Sequence, residues 1–292
     1  MNNHKKGLVL TTIGGLALSF DVPLVKLGQG DVWSVIATRS IVTFCAGIVF
    51  WLVACQLSRN EKPVLIPGMP GLLAALCYGI STMTFLGAIF HTATANAVFI
   101  IAFTPMFAAL FGWLVVKETP SPSTILTMAV MVVGVGLIVS GGLQSGGLFG
   151  DFLALITAAA LASAITIARL TRRDMGFVPL VGTAFPAVIS LAFVAINGFE
   201  LEVPFWVILD GAVIIPLAFW CLATGPRYLS GPEVGMFYLL ETILAPIWVW
   251  MIFAEIPTMR ALTGGAILIL ALIAHSLWRM RQTAGAQIAK AT

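Results

Sequence analysis

Apolar runs of about twenty residues recur along the chain, each closed by a short stretch of charge, glycine or proline. They cover residues 7–25, 33–55, 70–90, 94–116, 124–141, 150–170, 178–198, 205–223, 231–253 and 261–280. A helix rises about 1.5 Å per residue, so each run matches the roughly 30 Å hydrocarbon core of a bilayer. No water is present there to satisfy backbone N–H and C=O groups, so each run must satisfy its own as a helix. The pattern predicts an all-α polytopic membrane protein with ten transmembrane helices. The third and fourth runs meet across a tight connection at His91–Thr92. Lys5 and Lys6 precede the first run, as in a signal peptide, but nine further runs follow and no small-residue cleavage site closes it. It reads as an uncleaved first helix.

Composition agrees. Of 292 residues, 60% are apolar and 9% charged, with a mean hydropathy of +1.04. A soluble domain carries about 25% charged residues, so a soluble enzyme, a disordered chain and a nucleic-acid partner are all excluded. The net charge of +3 says less than its placement. With the N-terminus inside, the cytoplasmic side holds Lys5, Lys6, Arg59, Lys62, Lys117, Arg169, Arg172, Arg173, Arg227, Arg279, Arg281 and Lys290. The far side holds Lys26 and Arg260, and Arg39 lies within the second run. This positive-inside bias puts both termini in the cytoplasm, as an even helix count requires, and the chain in the inner (plasma) membrane. Cys45, Cys55, Cys77 and Cys221 sit inside apolar runs without a CxxC pair and read as inert thiols.

The two halves can be laid on each other. Glu118-Thr119-Pro120-Ser121 ends the fourth run and Glu255-Ile256-Pro257-Thr258 ends the ninth, at an offset of 137. The same offset places Gly87-Ala88 on Thr224-Gly225, His91 on Tyr228 and Thr94-Ala95 on Gly231-Pro232; the opening helices align at 143, pairing Lys26 with Arg169. The Gly-rich stretch 141–150 lies between, giving repeats over 1–145 and 146–292. Five spans per repeat is odd, so the second copy enters the membrane inverted. That is the layout of many secondary transporters, which alternate access to one site between the repeats. The paired Glu-x-Pro-Ser/Thr signatures, with Thr104-Pro105 ahead of the first, resemble the drug/metabolite transporter superfamily and best its EamA-type branch. Length and an aromatic-rich middle are similar to amino-acid exporters of the YddG type. The second half departs from the pattern where Ala271 stands for Gly134, which puts close packing of the last helix in question.

Ionisable residues at membrane depth are costly and are candidates for function by default. Glu241, near the middle of the ninth run, shares a helix face with Tyr238, Ala245 and Trp248. It can bind a substrate amino group, hold a proton, or act as structural partner to Arg39. Arg39 either snorkels to the interface or clamps a substrate carboxylate with its planar fork. Asp21 is expected to pair locally with Lys26 or Arg39, with proton coupling as the alternative. Glu118 and Glu255 are expected to cap or tether the hinge between the fourth and fifth helices of each repeat rather than bind substrate. Tyr78, Thr82 and Phe85 share a face of the third helix, and Asn96, Phe99, Phe103 and Phe107 do so on the fourth. The resemblance implies a central cavity lined by the third, fourth, eighth and ninth helices. Tyr78, Thr82, Asn96, Phe99, Phe103, Trp220, Tyr238, Arg39 and Glu241 form the candidate substrate site, against the alternative that the aromatics pack or face lipid. Pro105 and Pro246 fall within the fourth and ninth runs and are candidate hinges, or static kinks.

No phosphate loop, HExxH or GxSxG motif is present, so no cofactor, metal or catalytic residue is expected. The sequence thus predicts a secondary transporter, not an enzyme, exporting amino acids by alternating access. Its partners would be a small-molecule substrate and the lipid bilayer, with no nucleic acid, and a monomer is compatible with this reading. The alternatives are an exporter of cationic or aromatic drugs or other small metabolites and, outside transport, a membrane enzyme or receptor.

Overall fold

The apolar runs form helices in the computed structural model, which describes residues 3–57, 63–117, 119, 121–145, 147–171, 175–224, 228 and 231–291. Side chains of 3, 4, 116, 142–145, 223, 224, 231–236, 238 and 279–291 lie outside that description. Among the described residues nine helical stretches are long and apolar enough to cross a membrane, and Leu239–Phe253 in the ninth run is a shorter one. The first run is α1 (Asn3–Ser19) and α2 (Asp21–Leu27), followed by α3 (Val32–Leu57) and α4 (Gly68–His91). The fourth is α5 (Thr94–Ile101) and α6 (Thr104–Val116), then come α7 (Pro122–Ser145) and α8 (Leu148–Thr171). The seventh is α9 (Val178–Gly182) and α10 (Ala184–Asn197). The eighth is α11 (Pro204–Leu209), a π-helical turn Asp210–Ile214 and α12 (Ile215–Thr224); α13 (Gly231–Phe253) and α14 (Met259–Ala291) complete the chain.

Four prolines set the interruptions. Proline has no N–H to give the carbonyl four residues back, and its ring crowds that carbonyl. Four residues before Pro23, Pro105 and Pro186 lie Ser19, Ile101 and Gly182, the last residues of α1, α5 and α9. Four before Pro216 lies Ala212, inside the π turn. The carbonyl freed at Ile101 is taken by the Thr104 hydroxyl at 2.6 Å. Pro246 behaves differently. It lies inside α13, which continues through it, so of the two candidate hinges Pro105 coincides with a helix break and Pro246 does not.

The longest helix contacts join α4 to α8, α7 to α14, α1 to α12 and α3 to α10, with α1 also on α13 and α6 on α8. The main core lies where α5, α7, α13 and α14 meet, around Phe99, Met131, Ile138, Val249 and Leu268. At the crossing of α7 and α14 the backbones touch: a Cβ on Gly134 would lie 2.9 Å from the Gly264 carbonyl, and one on Gly264 2.6 Å from the Gly134 carbonyl. Gly264 thus supplies the close approach in the last helix that Ala271 left in question. Large apolar side chains point outward on many helices, among them Val49, Leu114, Val188, Ile196 and Leu270. An apolar exterior of this extent suits lipid and not water.

The bundle end that carries Lys26 is laced together by its loops. Gly30 and Leu201 form an isolated antiparallel bridge, Asp31 N–H donates to Glu200 O at 3.0 Å and Val203 N–H to Gly28 O at 3.0 Å. Asp31 also caps α3, accepting from the Ser34 amide at 2.9 Å, the Trp33 amide at 3.1 Å and the Ser34 hydroxyl at 2.8 Å. Partial burial opposes its charge, but the Ser34 and Trp33 donors outweigh that and hold its carboxyl below the usual range.

Two predictions follow from the packing and the cap, both read as thermal unfolding in detergent. Gly134→Ala is expected to lower the midpoint, since its methyl meets backbone, at a cost of about 1–3 kcal/mol. Gly136→Ala, with nothing within 4 Å of its Cβ, is expected to leave it unchanged or raise it. Asp31→Ala is expected to lose about 1 kcal/mol near neutral pH. A depressed carboxylate stabilises the fold fully above its unfolded value, about pH 4, so the deficit should vanish as pH falls through the lower folded value.

Candidate functional site

The interruption at Phe20 ends α1 and starts α2 at Asp21, which is buried. Arg39 is buried on α3, and the π turn begins with Asp210, which is wholly buried. These residues lie six or seven positions from the Lys26 end of their helices, about 10 Å deep at helical rise. They meet. One Nη2 of Arg39 donates to both Asp21 carboxylate oxygens, at 2.8 and 2.7 Å, and Nε donates to Asp210 Oδ2 at 2.7 Å. Their side chains are 6% (Arg39), 4% (Asp21) and 0% (Asp210) exposed, so solvent screens this trio little.

Backbone contact brings the trio close. A Cβ on Gly211 would lie 2.8 Å from the Arg39 carbonyl and 3.0 Å from Thr43 Oγ1, so only glycine lets the π turn lie this near α3. Three buried oxygens in this region have no hydrogen-bond partner: Asp210 Oδ1, Ser40 Oγ and Thr43 Oγ1. Glu241, half-buried on α13, interacts electrostatically with both Asp21 and Arg39. The face of α13 beyond it packs on the interruption of the first helix. Trp248 Nε1 donates to Ser19 Oγ at 3.1 Å and the Trp248 ring stacks on Phe20 at 5.2 Å.

The other expected site residues are distributed more widely. Asn96 is buried at the Lys26 end, donating to Thr92 Oγ1 at 3.4 Å; Thr92 in turn donates to Asp151 Oδ1 at 2.7 Å. It belongs to this Thr92–Asn96–Asp151 group. Phe99 is a core residue, so close to α14 that a Cβ on Gly265 would meet its ring at 2.5 Å. Phe103 sits at the interruption between α5 and α6, edge-on to Phe107 at 5.2 Å. Tyr78 is half-buried in a small cluster with Ala74, Ala75, Val178, Ile167 and Met175, where α4 meets α9. Thr82 is half-buried one turn further along α4, and Trp220 is 53% exposed on the outer surface of α12. Pro105 is exposed at the start of α6. The side chain of Tyr238 and all of Glu118 lie outside the described residues.

Glu255 ties three segments. It pairs with Lys26 of α2 and accepts from the Thr94 amide at the start of α5 at 2.6 Å. Asp210 and Asp151 were missed by the sequence reading. Asp210 satisfies the same criterion that selected Glu241, a lone carboxylate inside an apolar run, Phe205 to Phe219. Asp151 opens its helix and passes for an ordinary N-terminal acid until its burial is seen.

An EamA-like transporter family model matches residues 5–140. No curated protein matches the chain. Seventeen solved chains do. One, described as "Crystal structure of protein", has a TM-score of 0.60 over 90% of this chain and 96% of that one, at 15% identity, a likeness of fold alone.

Arg39→Met removes the one cation between two buried carboxylates, a loss worth about 3–5 kcal/mol for a broken buried pair. It is expected to abolish a cooperative melt or lower its midpoint sharply. The triple variant Arg39→Met/Asp21→Asn/Asp210→Asn, which removes all three charges, should recover most of the loss.

Proposed function

We propose that this chain is a ten-helix secondary transporter that carries small amine-bearing solutes, amino acids among them, out of the cytoplasm by alternating access. The observation that carries this reading is Glu241, a half-buried carboxylate at membrane depth beside a trio that already holds two carboxylates to one guanidinium. A carboxylate so placed calls for a cation, and a substrate ammonium supplies one.

Two structural features support a duplicated, inverted architecture with repeats over 1–145 and 146–292. Exchange of each helix for its counterpart five spans away turns the contact of α4 with α8 into that of α12 with α1, and α6 with α8 into α13 with α1; α7–α14 and α3–α10 map onto themselves. Lys117 and Ala254, equivalent at the offset of 137, both leave their helices in the left-handed conformation, at φ 57° and 53°. Non-glycine residues rarely adopt it. The match of the EamA-like model to the first half supports transport as the activity. The charge bias supports a cytoplasmic location for both termini and for the Arg169 end, in the inner membrane. The laced loops at the opposite end support a state closed to the outside.

One observation favours a second reading, export of cationic or aromatic drugs. Nε and Nη2 of Arg39 already serve Asp210 and Asp21, so its planar fork is not available whole to clamp a substrate carboxylate. Cationic solutes need only a carboxylate such as Glu241.

Counterflow into liposomes holding the purified protein separates these readings. Twenty amino acids are tested against cationic dyes, with protein-free liposomes as control. At least one solute is expected to exchange, and Glu241→Gln to slow it at least tenfold. Exchange of dyes without amino acids selects the second reading. Exchange by Glu241→Gln at the wild-type rate overturns the role of Glu241, and no exchange of any solute overturns transport.

A further inference from the structure

We propose that Asp21 and Asp210 form a proton-binding site, holding one exchangeable proton between their carboxyls at the guanidinium of Arg39. The first support is charge. Arg39 contributes one positive charge and the two carboxylates two negative ones, so the trio carries a net charge of minus one without the proton and is neutral with it. All three are at most 6% exposed in a lipid-facing bundle, where an uncompensated charge is costly. The second is geometry. The Asp21 and Asp210 carboxyls are held on one guanidinium, Asp21 through both oxygens and Asp210 through Oδ2, so two acids share a single cation and a proton between them completes the balance. Arg39 occupies both Asp21 oxygens and Oδ2 of Asp210, which leaves Asp210 Oδ1, buried and unpartnered, as the acceptor or carrier of that proton.

The surroundings favour a proton over a metal ion. The described helices packed on the π turn are α2, α3, α11 and α12. Beyond the trio itself they bring one charged residue, Lys26 on α2, which is engaged by Glu255. Glu241 on α13 also interacts electrostatically with Asp21 and Arg39. Hydroxyls of Ser40 and Thr43, buried and without partners, offer oxygens nearby, but a metal ion there would face the guanidinium at close range.

The site also explains how transport would be driven, and this part rests on the transporter reading. A cation on Glu241 and a proton on the trio neutralise the same buried negative field, so each disfavours the other. Arrival of a substrate ammonium at Glu241 then releases the proton to water, leaving both aspartates ionised on Arg39. Departure of the substrate on the far side allows a proton to return. Substrate and proton move in opposite directions.

The proton is tested directly by infrared spectroscopy of the purified full-length protein. Wild type at neutral pH is expected to show a protonated-carboxyl C=O band that bleaches on alkaline titration. Asp210→Asn and Asp21→Asn should each lose it, because each leaves one aspartate paired with one arginine and no proton to hold. The two variants serve as alternates should one fail to fold. Glu241→Gln should keep the band. Absence of the band from wild type, its persistence in the aspartate variants, or its loss in Glu241→Gln alone overturns the assignment. A rise in melting temperature with Na⁺ relative to choline at fixed pH, lost in Asp210→Asn, identifies a metal ion and overturns it as well. In liposomes, a pH gradient should drive a counterflow-active solute uphill. Counterflow that ignores the gradient overturns the coupling while the transporter reading stands. Absence of counterflow removes the transporter reading, and the infrared result then decides the proton site alone.

Discussion

A guanidinium surrounded by hydrocarbon must have its counter-ions built in, and the sharing of Arg39 between Asp21 and Asp210 imposes that requirement on three separate segments. The first helix has to end and restart so that Asp21 opens α2 facing inward. The eighth has to widen into a π turn so that Asp210 begins it, and Gly211 has to lack a side chain so that the turn can lie on α3. Each is a local irregularity with a cost, and each is needed for one short set of hydrogen bonds. By the lower of the disputed estimates a lone charge at helix centre costs about 2.5–3.5 kcal/mol, so an unpaired Arg39 would tax the bundle more than any of the three. The same pairing commits Nε and Nη2 of Arg39 to Asp210 and Asp21.

Backbone hydrogen bonding makes these irregularities tolerable in lipid. Where proline leaves a carbonyl without its usual donor, a neighbouring group has to take over. At Ile101 the Thr104 hydroxyl does so, and around Ala212 the ladder shifts into π spacing. The interruptions fall in the first, fourth, seventh and eighth runs, whereas their counterparts five spans away, α8, α13, α3 and α4, are continuous. If the halves arose by duplication they no longer have the same shape. Differences written into the sequence as prolines persist through any motion, so on the transporter reading an exchange of conformations between halves occurs in the angles between helices.

Helix count and span limits were readable because the lipid requirement acts on composition over twenty residues, which tolerates local error. Ten runs were expected, and the described helices fall on them. The expected local partner for Asp21 was also readable, since an acid and a base at similar depth on adjacent helices have little else to pair with. Arg39's second partner was not. Asp210 is 171 residues away, and nothing in the order of residues says that the eighth helix returns to the second. Cavity aromatics were least readable. Phe99 and Trp220 both sit on apolar helices, but one is buried against Gly265 and the other is 53% exposed. A ring facing lipid and a ring facing a core have the same local sequence, because both surroundings are apolar. The breaks were half readable: proline marks where a carbonyl loses its donor, but Pro246 shows that the mark alone does not decide whether a helix ends.

The ties at the Lys26 end differ in strength from those around Arg39, and the contrast bears on which part of the bundle can move. Lys26 and Glu255 are 22% and 27% exposed, and pairs open to solvent contribute roughly 0–1 kcal/mol. The Thr94 amide adds a hydrogen bond to a charged group, about 1.5–3 kcal/mol, placed where the helix dipole of α5 favours an anion. The bridge between residues 30 and 201 and its flanking backbone bonds add a few more of about 1 kcal/mol each. On the transporter reading, opening this end exposes every one of those groups to water, which replaces most of the bonds. Opening the Arg39 trio offers no such exchange, since lipid supplies neither donor nor acceptor. Motion that admits solute from outside therefore parts the Glu255 ties and carries the trio intact, as a fixed point about which the flanking helices turn.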